Sequence, residues 1–161
     1  MFPIQTILHP TDFSQRADCA FELACMLARG YAARLVVVHV LEPPLTVMGG
    51  TQGLPPLPEE RGREEAEERL RRLTPPDARI RIERLMREGD IAGQILRVAE
   101  EIPCDVIVMG THGRTGLSRL LMGSVAERVV RKSHCPVVTL KTPLHKSSLA
   151  ARAEMKKTGR V

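Results

Sequence analysis

The run Leu35-Val36-Val37-Val38-His39-Val40-Leu41 sets the tightest limit on what this chain can fold into. Successive apolar positions leave a strand with no wet face, which is the mark of a parallel sheet covered by helices on both sides. Asp105-Val106-Ile107-Val108-Met109 repeats the pattern. Residues 4–9, stopped by Pro10, and residues 136–140 read as shorter strands of the same kind. Ile80, Ile82 and Leu85 alternate with Arg and Glu, as in a strand at or near a sheet edge.

Helical patterns separate these strands. Ser14 is placed to cap a helix whose inner face is Ala17, Ala20, Phe21, Ala24, Leu27 and Ala28, with Gly30 as its stop signal. Residues 59–73 carry Glu65/Arg69, Glu67/Arg71 and Glu68/Arg72 four apart, a charge-laced surface helix. Asp90 caps a third helix with Ile91, Ile95 and Val98 inward. Ser124 opens a fourth, with Val125 and Val129 inward. Pro- and Gly-rich residues 42–58 read as an irregular loop, a lid or an insertion. The alternation of strand and helix predicts a single α/β domain, a doubly wound five-stranded parallel sheet with helices on both faces.

Composition narrows the function classes. The chain has 161 residues, 43% apolar and 27% charged, with 2% aromatic and no Trp. The core must therefore be aliphatic, and the scarcity of rings argues against an aromatic platform for single-stranded nucleic acid. Residues 142–161 hold five cations against one carboxylate, so most of the net charge of +5 lies in this tail. Such a tail attracts nucleic acid or a membrane surface weakly, and neither is an expected partner. Cys19, Cys25, Cys104 and Cys135 form no CxxC pair and read as reduced thiols used as small hydrophobes. The start, MFPIQTILHPTD, lacks a basic leader, and no apolar run approaches membrane length, so a cytoplasmic protein is expected.

Two strand tips carry chemistry. The first is Pro10-Thr11-Asp12, which places a hydroxyl and a carboxylate at the end of the first strand. The second begins at Gly110 and runs through His112, Gly113 and Arg114 to Gly123-Ser124. Glycines admit backbone N–H groups close to anionic oxygens, a helix start favours negative charge, and Arg114 adds a cation. Glycines also end strands and permit turns without any ligand. His112 reads equally as a phosphate contact or a solvated loop residue. There is no GxxxxGK[ST] and no GxGxxG after the first strand, which argues against a P-loop enzyme and a dinucleotide dehydrogenase. His134 beside Cys135 suggests a metal, but no second ligand pair stands at zinc-type spacing, so no metal site is expected. No arrangement for nucleophilic catalysis is visible.

Gly110-x2-Gly113-x9-Gly123-Ser124 resembles the G-2x-G-9x-G-[ST] ATP signature of the universal stress protein family. The segments ILHPTDFS, VVHVLE, VIVMGTHGRTGL and GSVAERVVRKSHCPVVTLK resemble it in the same order. The resemblance implies a Rossmann-like domain of the adenine nucleotide alpha hydrolase type over residues 1–141, with 142–161 as a basic extension. It implies ATP, with Mg²⁺, as cofactor and a homodimer formed through the last strand. By position, Asp12 would face the nucleoside and Val40 would present backbone to adenine. Met109, Gly110, Gly113 and Arg114 would line ribose and phosphates, and Gly123, Ser124 and Val125 would cradle the distal phosphates. Pro10, Thr11 and His112 complete the set. The function implied is an ATP-binding regulator of the stress response acting on a protein partner. The alternatives are a slow Mg-dependent ATP hydrolase and a nucleotide-independent dimeric partner-binding protein.

Overall fold

The computed structural model describes residues 4–42, 59–111 and 122–141. In chain order these form β1 (Thr6–Pro10), α1 (Gln15–Tyr31), β2 (Arg34–Leu41), α2 (Glu59–Arg72) and β3 (Ile82–Glu88). They continue as α3 (Ile91–Glu101), β4 (Val106–Gly110), α4 (Ser124–Lys132) and β5 (Val137–Leu140). The strands are parallel, in the order β3-β2-β1-β4-β5. The chain winds outward from β1 to β3, then crosses back to β4 and β5. The winding reverses between β1 and β4, and the carboxyl ends of strands at such a point are where open α/β sheets bind ligands.

Strand alternation divides the core into two layers. Ile7, Leu35, Val37, Val106 and Val108 face α1 and α2, where they meet Ala20, Phe21, Ala24, Ala28 and Leu70. Leu8, Val36, Val38, Val40, Ile107 and Met109 face α3 and α4, where they meet Ala92, Ile95, Val98, Ala126 and Val129. The register Ile7↔Leu35 and Leu8↔Val36 keeps like faces aligned. Each fully buried Leu, Ile or Val contributes about 1.5–3 kcal/mol, so this two-layer core rests mainly on aliphatic side chains, with Phe21 its one buried aromatic ring among the described residues apart from His9. Arg84 of β3 donates to the carbonyls of Leu70 and Leu73 at 3.0 and 2.6 Å, adding side-chain donors at the end of α2, where carbonyls run short of helical partners.

Several local expectations shift. Pro10 is the last residue of β1 rather than its stop, because the ladder continues past it through Thr11 N–H to the Val38 carbonyl at 2.9 Å. Gly30 does not end α1. The helix runs to Tyr31 and the left-handed residue is Ala32, φ 54°, because buried Ala33 must enter the core and fixes where the chain turns. In α2, Glu67 and Glu68 pair with Arg71 and Arg72, but Arg69 leaves Glu65 for Phe13. Buried Ala66 and Leu70 give that helix an inner face. Ile91 and Val125 turn inward as expected and pack against the core, but Ala92 and Ala126 beside them are the more deeply buried positions. Cys25 behaves as a small hydrophobe, its thiol pushed up to about 11 by burial and then by Glu22. Among the described residues, no helix is long and apolar enough to cross a membrane. The 43–58 loop and the 142–161 extension lie outside the described residues.

Candidate functional site

The turn after β1 is held by its own polar groups. His39 donates from Nδ1 to the Thr11 carbonyl at 2.8 Å. Thr11 Oγ1 accepts from Phe13 N at 3.1 Å, and Asp12 Oδ1 accepts from Ser14 N at 3.0 Å. Ser14 Oγ in turn caps α1 by accepting from Ala17 N at 3.2 Å. Phe13 adopts φ 59°, a left-handed conformation that costs a residue with a side chain about 1–2 kcal/mol. Three contacts offset that cost. Its ring lies 4.5 Å from the His39 ring, the Arg69 guanidinium sits 4.5 Å over it, and Arg69 donates to its carbonyl at 3.2 Å. The strained residue fixes Asp12 with Oδ1 engaged and Oδ2 buried without a partner among the described residues.

The tip of β4 is built differently. A Cβ on Gly110 would stand 3.3 Å from Arg16 Cβ and 3.4 Å from its carbonyl. The close approach of α1 therefore favours glycine here, whatever the ligand, since a side chain would push Arg16 back by a few tenths of an ångström. Thr111 joins Leu140 of β5 through its amide and hydroxyl, and Gly123 N–H donates to the Thr111 carbonyl at 2.7 Å, bringing the end of β4 beside the start of α4. Gly123 caps α4 in the extended conformation, φ −62° and ψ 148°, with no side-chain cap. Its own amide is spent on Thr111. The N–H groups left without an intrahelical partner are those of Ser124, Val125 and Ala126. Three donors and the positive end of a helix dipole thus point away from the helix at this place.

Between the two tips lies a cleft of about 310 Å³. Pro10, Thr11, Asp12, Val40, Met109, Gly110, Gly123, Ser124 and Val125 all line it. His112, Gly113 and Arg114 lie outside the described residues. Sequence reasoning missed Val38, His39, Glu42, Ile91, Ile95 and Thr111, which also line it. One signal was available for His39, a polar residue interrupting an otherwise apolar strand. Glu42 brings a second carboxylate to the cleft beside Asp12. Val38, Val40, Ile91, Ile95 and Met109 make one wall apolar, while Asp12 and the α4 start supply an acceptor and donors. That division suits a molecule with a flat apolar part and an anionic part.

His9 is buried in β1 close to this turn. Its Nδ1 donates to the Val108 carbonyl at 2.8 Å, and its Nε2 has no partner among the described residues. Burial lowers its pKa to about 4, against the opposing effects of the Val108 bond and the Asp12 charge. The imidazole is therefore neutral at physiological pH.

The family model described as the universal stress protein family matches residues 3–141. A universal stress protein of Methanocaldococcus jannaschii is 37% identical over 139 residues, 85% of this chain and 82% of that protein. The solved universal stress protein UspA of Lactobacillus plantarum superposes with a TM-score of 0.69 at 23% identity, over 87% of this chain and 99% of its own. A universal stress protein solved in complex with cAMP gives 0.65 at 22%, over 88% and 100% of the two chains. One from Archaeoglobus fulgidus, in complex with dAMP, gives 0.57 at 23%, over 86% and 98%. The parallel-sheet fold and the family agree: this chain belongs to the universal stress protein family, a group of stress-response proteins.

Proposed function

We propose that this chain binds an adenine nucleotide, ATP with Mg²⁺, in the cleft between β1 and α4, and that occupancy regulates its contact with a protein partner during stress. The observation that carries this reading is Asp12 Oδ2, buried without a partner among the described residues, in a cleft bordered also by the start of α4, where Gly123 offers no side-chain cap. A buried carboxylate oxygen without a donor is costly, and a ribose hydroxyl would satisfy it. The apolar wall of Val38, Val40, Ile91, Ile95 and Met109 fits an adenine ring. The amides of Ser124, Val125 and Ala126 fit phosphate oxygens, as helix starts do in many nucleotide sites. Gly123 serves this arrangement through its missing side chain rather than through its amide. Asp12 and Glu42 are the carboxylates that would hold Mg²⁺, directly or through water. The relatives solved with cAMP and dAMP support an adenylate in this fold. His112, Gly113 and Arg114 complete the proposed phosphate site.

The reading extends to architecture. The end of the family match at residue 141 supports a 1–141 nucleotide domain followed by a basic 142–161 extension. β5 is an edge strand of the sheet, and that supports a homodimer formed through it. A cytoplasmic location is part of the same proposal.

The test is to release ligand from purified protein with acid, identify it by chromatography, and titrate ATP, ADP, AMP and cAMP calorimetrically with and without Mg²⁺. The reading expects one nucleotide per chain with affinity in the micromolar range. Absence of bound nucleotide together with no titration heat for any of the four would overturn it.

A further inference from the structure

At the opposite end of the sheet from the cleft, three metal-ligating side chains converge. Cys104 immediately precedes Asp105 at the entry to β4, and His134 and Cys135 lie in the turn before β5. The parallel register Ile107↔Val137, with Ile107 N–H donating to the Pro136 carbonyl at 2.9 Å, lays the two approaches side by side. The Sγ atoms of Cys104 and Cys135 come to 3.4 Å, and those atoms and a ring nitrogen of His134 all lie within 4.8 Å of one another. Sequence spacing had offered His134 and Cys135 no second pair. The third ligand arrives from the other strand, through sheet pairing rather than through a local motif.

The turn that presents two of these groups is fixed before any ligand enters. Ser133 Oγ donates to the Cys135 carbonyl at 2.8 Å and accepts from the Cys135 amide at 3.2 Å. Cys104 is buried, Cys135 is half-buried and His134 is exposed, so the cluster has a closed base and an open mouth. Two sulfurs and one imidazole suit borderline-to-soft ions, zinc above all, with a fourth position left to water. Zinc bonds of about 2.3 Å to sulfur and 2.0–2.1 Å to nitrogen set tetrahedral ligand separations of about 3.5–3.8 Å. The two sulfurs already stand within a few tenths of an ångström of that spacing. His134 needs only the side-chain rotation its exposure allows. Without a cation the Cys104 thiol is pushed up to about 12, by burial and then by the neighbouring Cys135, so it stays protonated. A bound dication would reverse that balance.

We propose that Cys104, His134 and Cys135 form a three-ligand site for a thiophilic transition-metal ion, best fitted to Zn²⁺, that clamps the entry of β4 to the entry of edge strand β5. The site is separate from the nucleotide cleft and stands or falls independently of it.

The experiment uses the full chain, untagged, reduced and without oxygen or added nucleotide. Addition of Co²⁺ is expected to produce thiolate-to-cobalt charge-transfer absorption and the intense visible bands of tetrahedral cobalt, saturating at one ion per chain and displaced by Zn²⁺. Cys104→Ala combined with Cys135→Ala removes both features. Because burial of Cys104 could make that variant fold poorly, exposed His134→Ala carries the same test. It should weaken Co²⁺ binding by more than about tenfold, the lower end of what removing even an indirect partner of a metal ligand costs. Cys19→Ala should leave the spectrum unchanged. Absence of the charge-transfer band in the wild type overturns the proposal. So does a band that His134→Ala leaves at full affinity, or one that Cys19→Ala abolishes.

Discussion

α3 and α4 begin at the same end of the sheet, pack on the same face, and open in nearly the same backbone conformation. Asp90 has φ −64° and ψ 117°, and Gly123 has φ −62° and ψ 148°. Asp90 fills its helix start, accepting from Gly93 N–H at 2.8 Å and holding Arg128 of α4. Gly123 leaves its helix start open, and that start borders the cleft. Neither φ requires glycine, so the backbone does not explain the choice at position 123. The same division runs through the β1 turn, where Asp12 Oδ1 is satisfied by Ser14 and Oδ2 by nothing among the described residues. Groups that serve the fold are closed by the chain itself, and groups turned to the cleft are left open.

His9 lies off the cleft, buried against Phe21 with Nδ1 bonded to Val108 and Nε2 unpartnered among the described residues, and it carries the largest expected effect. Its folded pKa of about 4 lies below the ordinary 6.5. The unfolded chain therefore takes up the proton first as pH falls. Stability present above pH 6.5 is lost as pH falls through about 4, by about 3 kcal/mol. Urea midpoints followed across that window should fall more steeply for the wild type than for His9→Gln, which retains a donor for Val108 but does not titrate. Parallel slopes would show that His9 is not held neutral by the fold.

Next in size is Gly123→Asp, which turns the α4 start into a copy of the α3 start. Nucleotide affinity should fall on the order of 100-fold, since charge-assisted bonds worth about 1.5–3 kcal/mol are replaced by repulsion. Thermal stability without nucleotide should hold or rise by a few tenths of a kcal/mol. Equal losses of both would mean the glycine serves the fold. Asp12→Ala should cost about tenfold in affinity and about 1 kcal/mol in stability through the lost Ser14 bond, read by calorimetry and denaturation. Asp90→Ala, the control at the closed start, should cost about 1 kcal/mol of stability and leave nucleotide affinity unchanged.

Much of the fold was legible because it follows from local rules. The apolar runs of β2 and β4 marked buried parallel strands, and Ser14 and Asp90 cap their helices as their side chains dictate. α4 spans Ser124–Lys132 as its pattern indicated. What was not legible depends on tertiary contacts. Arg69 chooses Phe13 over Glu65 because a strained carbonyl and an aromatic ring come within its reach. Ala32 takes the turn expected at Gly30 because Ala33 must be buried. The pairing of Cys104 with Cys135 exists only once β4 and β5 are in register. At the candidate site, Pro10, Thr11, Asp12, Gly110, Gly123 and Ser124 line one cleft, while His112, Gly113 and Arg114 lie outside the described residues. The apolar wall of the cleft was hidden because Ile91 and Ile95 reach it from α3, far along the chain. Gly110 shows a further limit, since its place on the cleft coincides with a packing demand from Arg16.

The central claim is that an adenine nucleotide occupies the space between the Asp12 turn and the open start of α4. Amide resonances followed during an ATP titration of the ¹⁵N-labelled chain test this most directly. The account predicts saturable shifts concentrated at the Ser124, Val125 and Ala126 amides and in the turn through Asp12 and Ser14, with the Gly93 amide at the closed start of α3 little changed. Saturable shifts that leave the α4 start and the Asp12 turn unmoved, or no shifts at all, would contradict it.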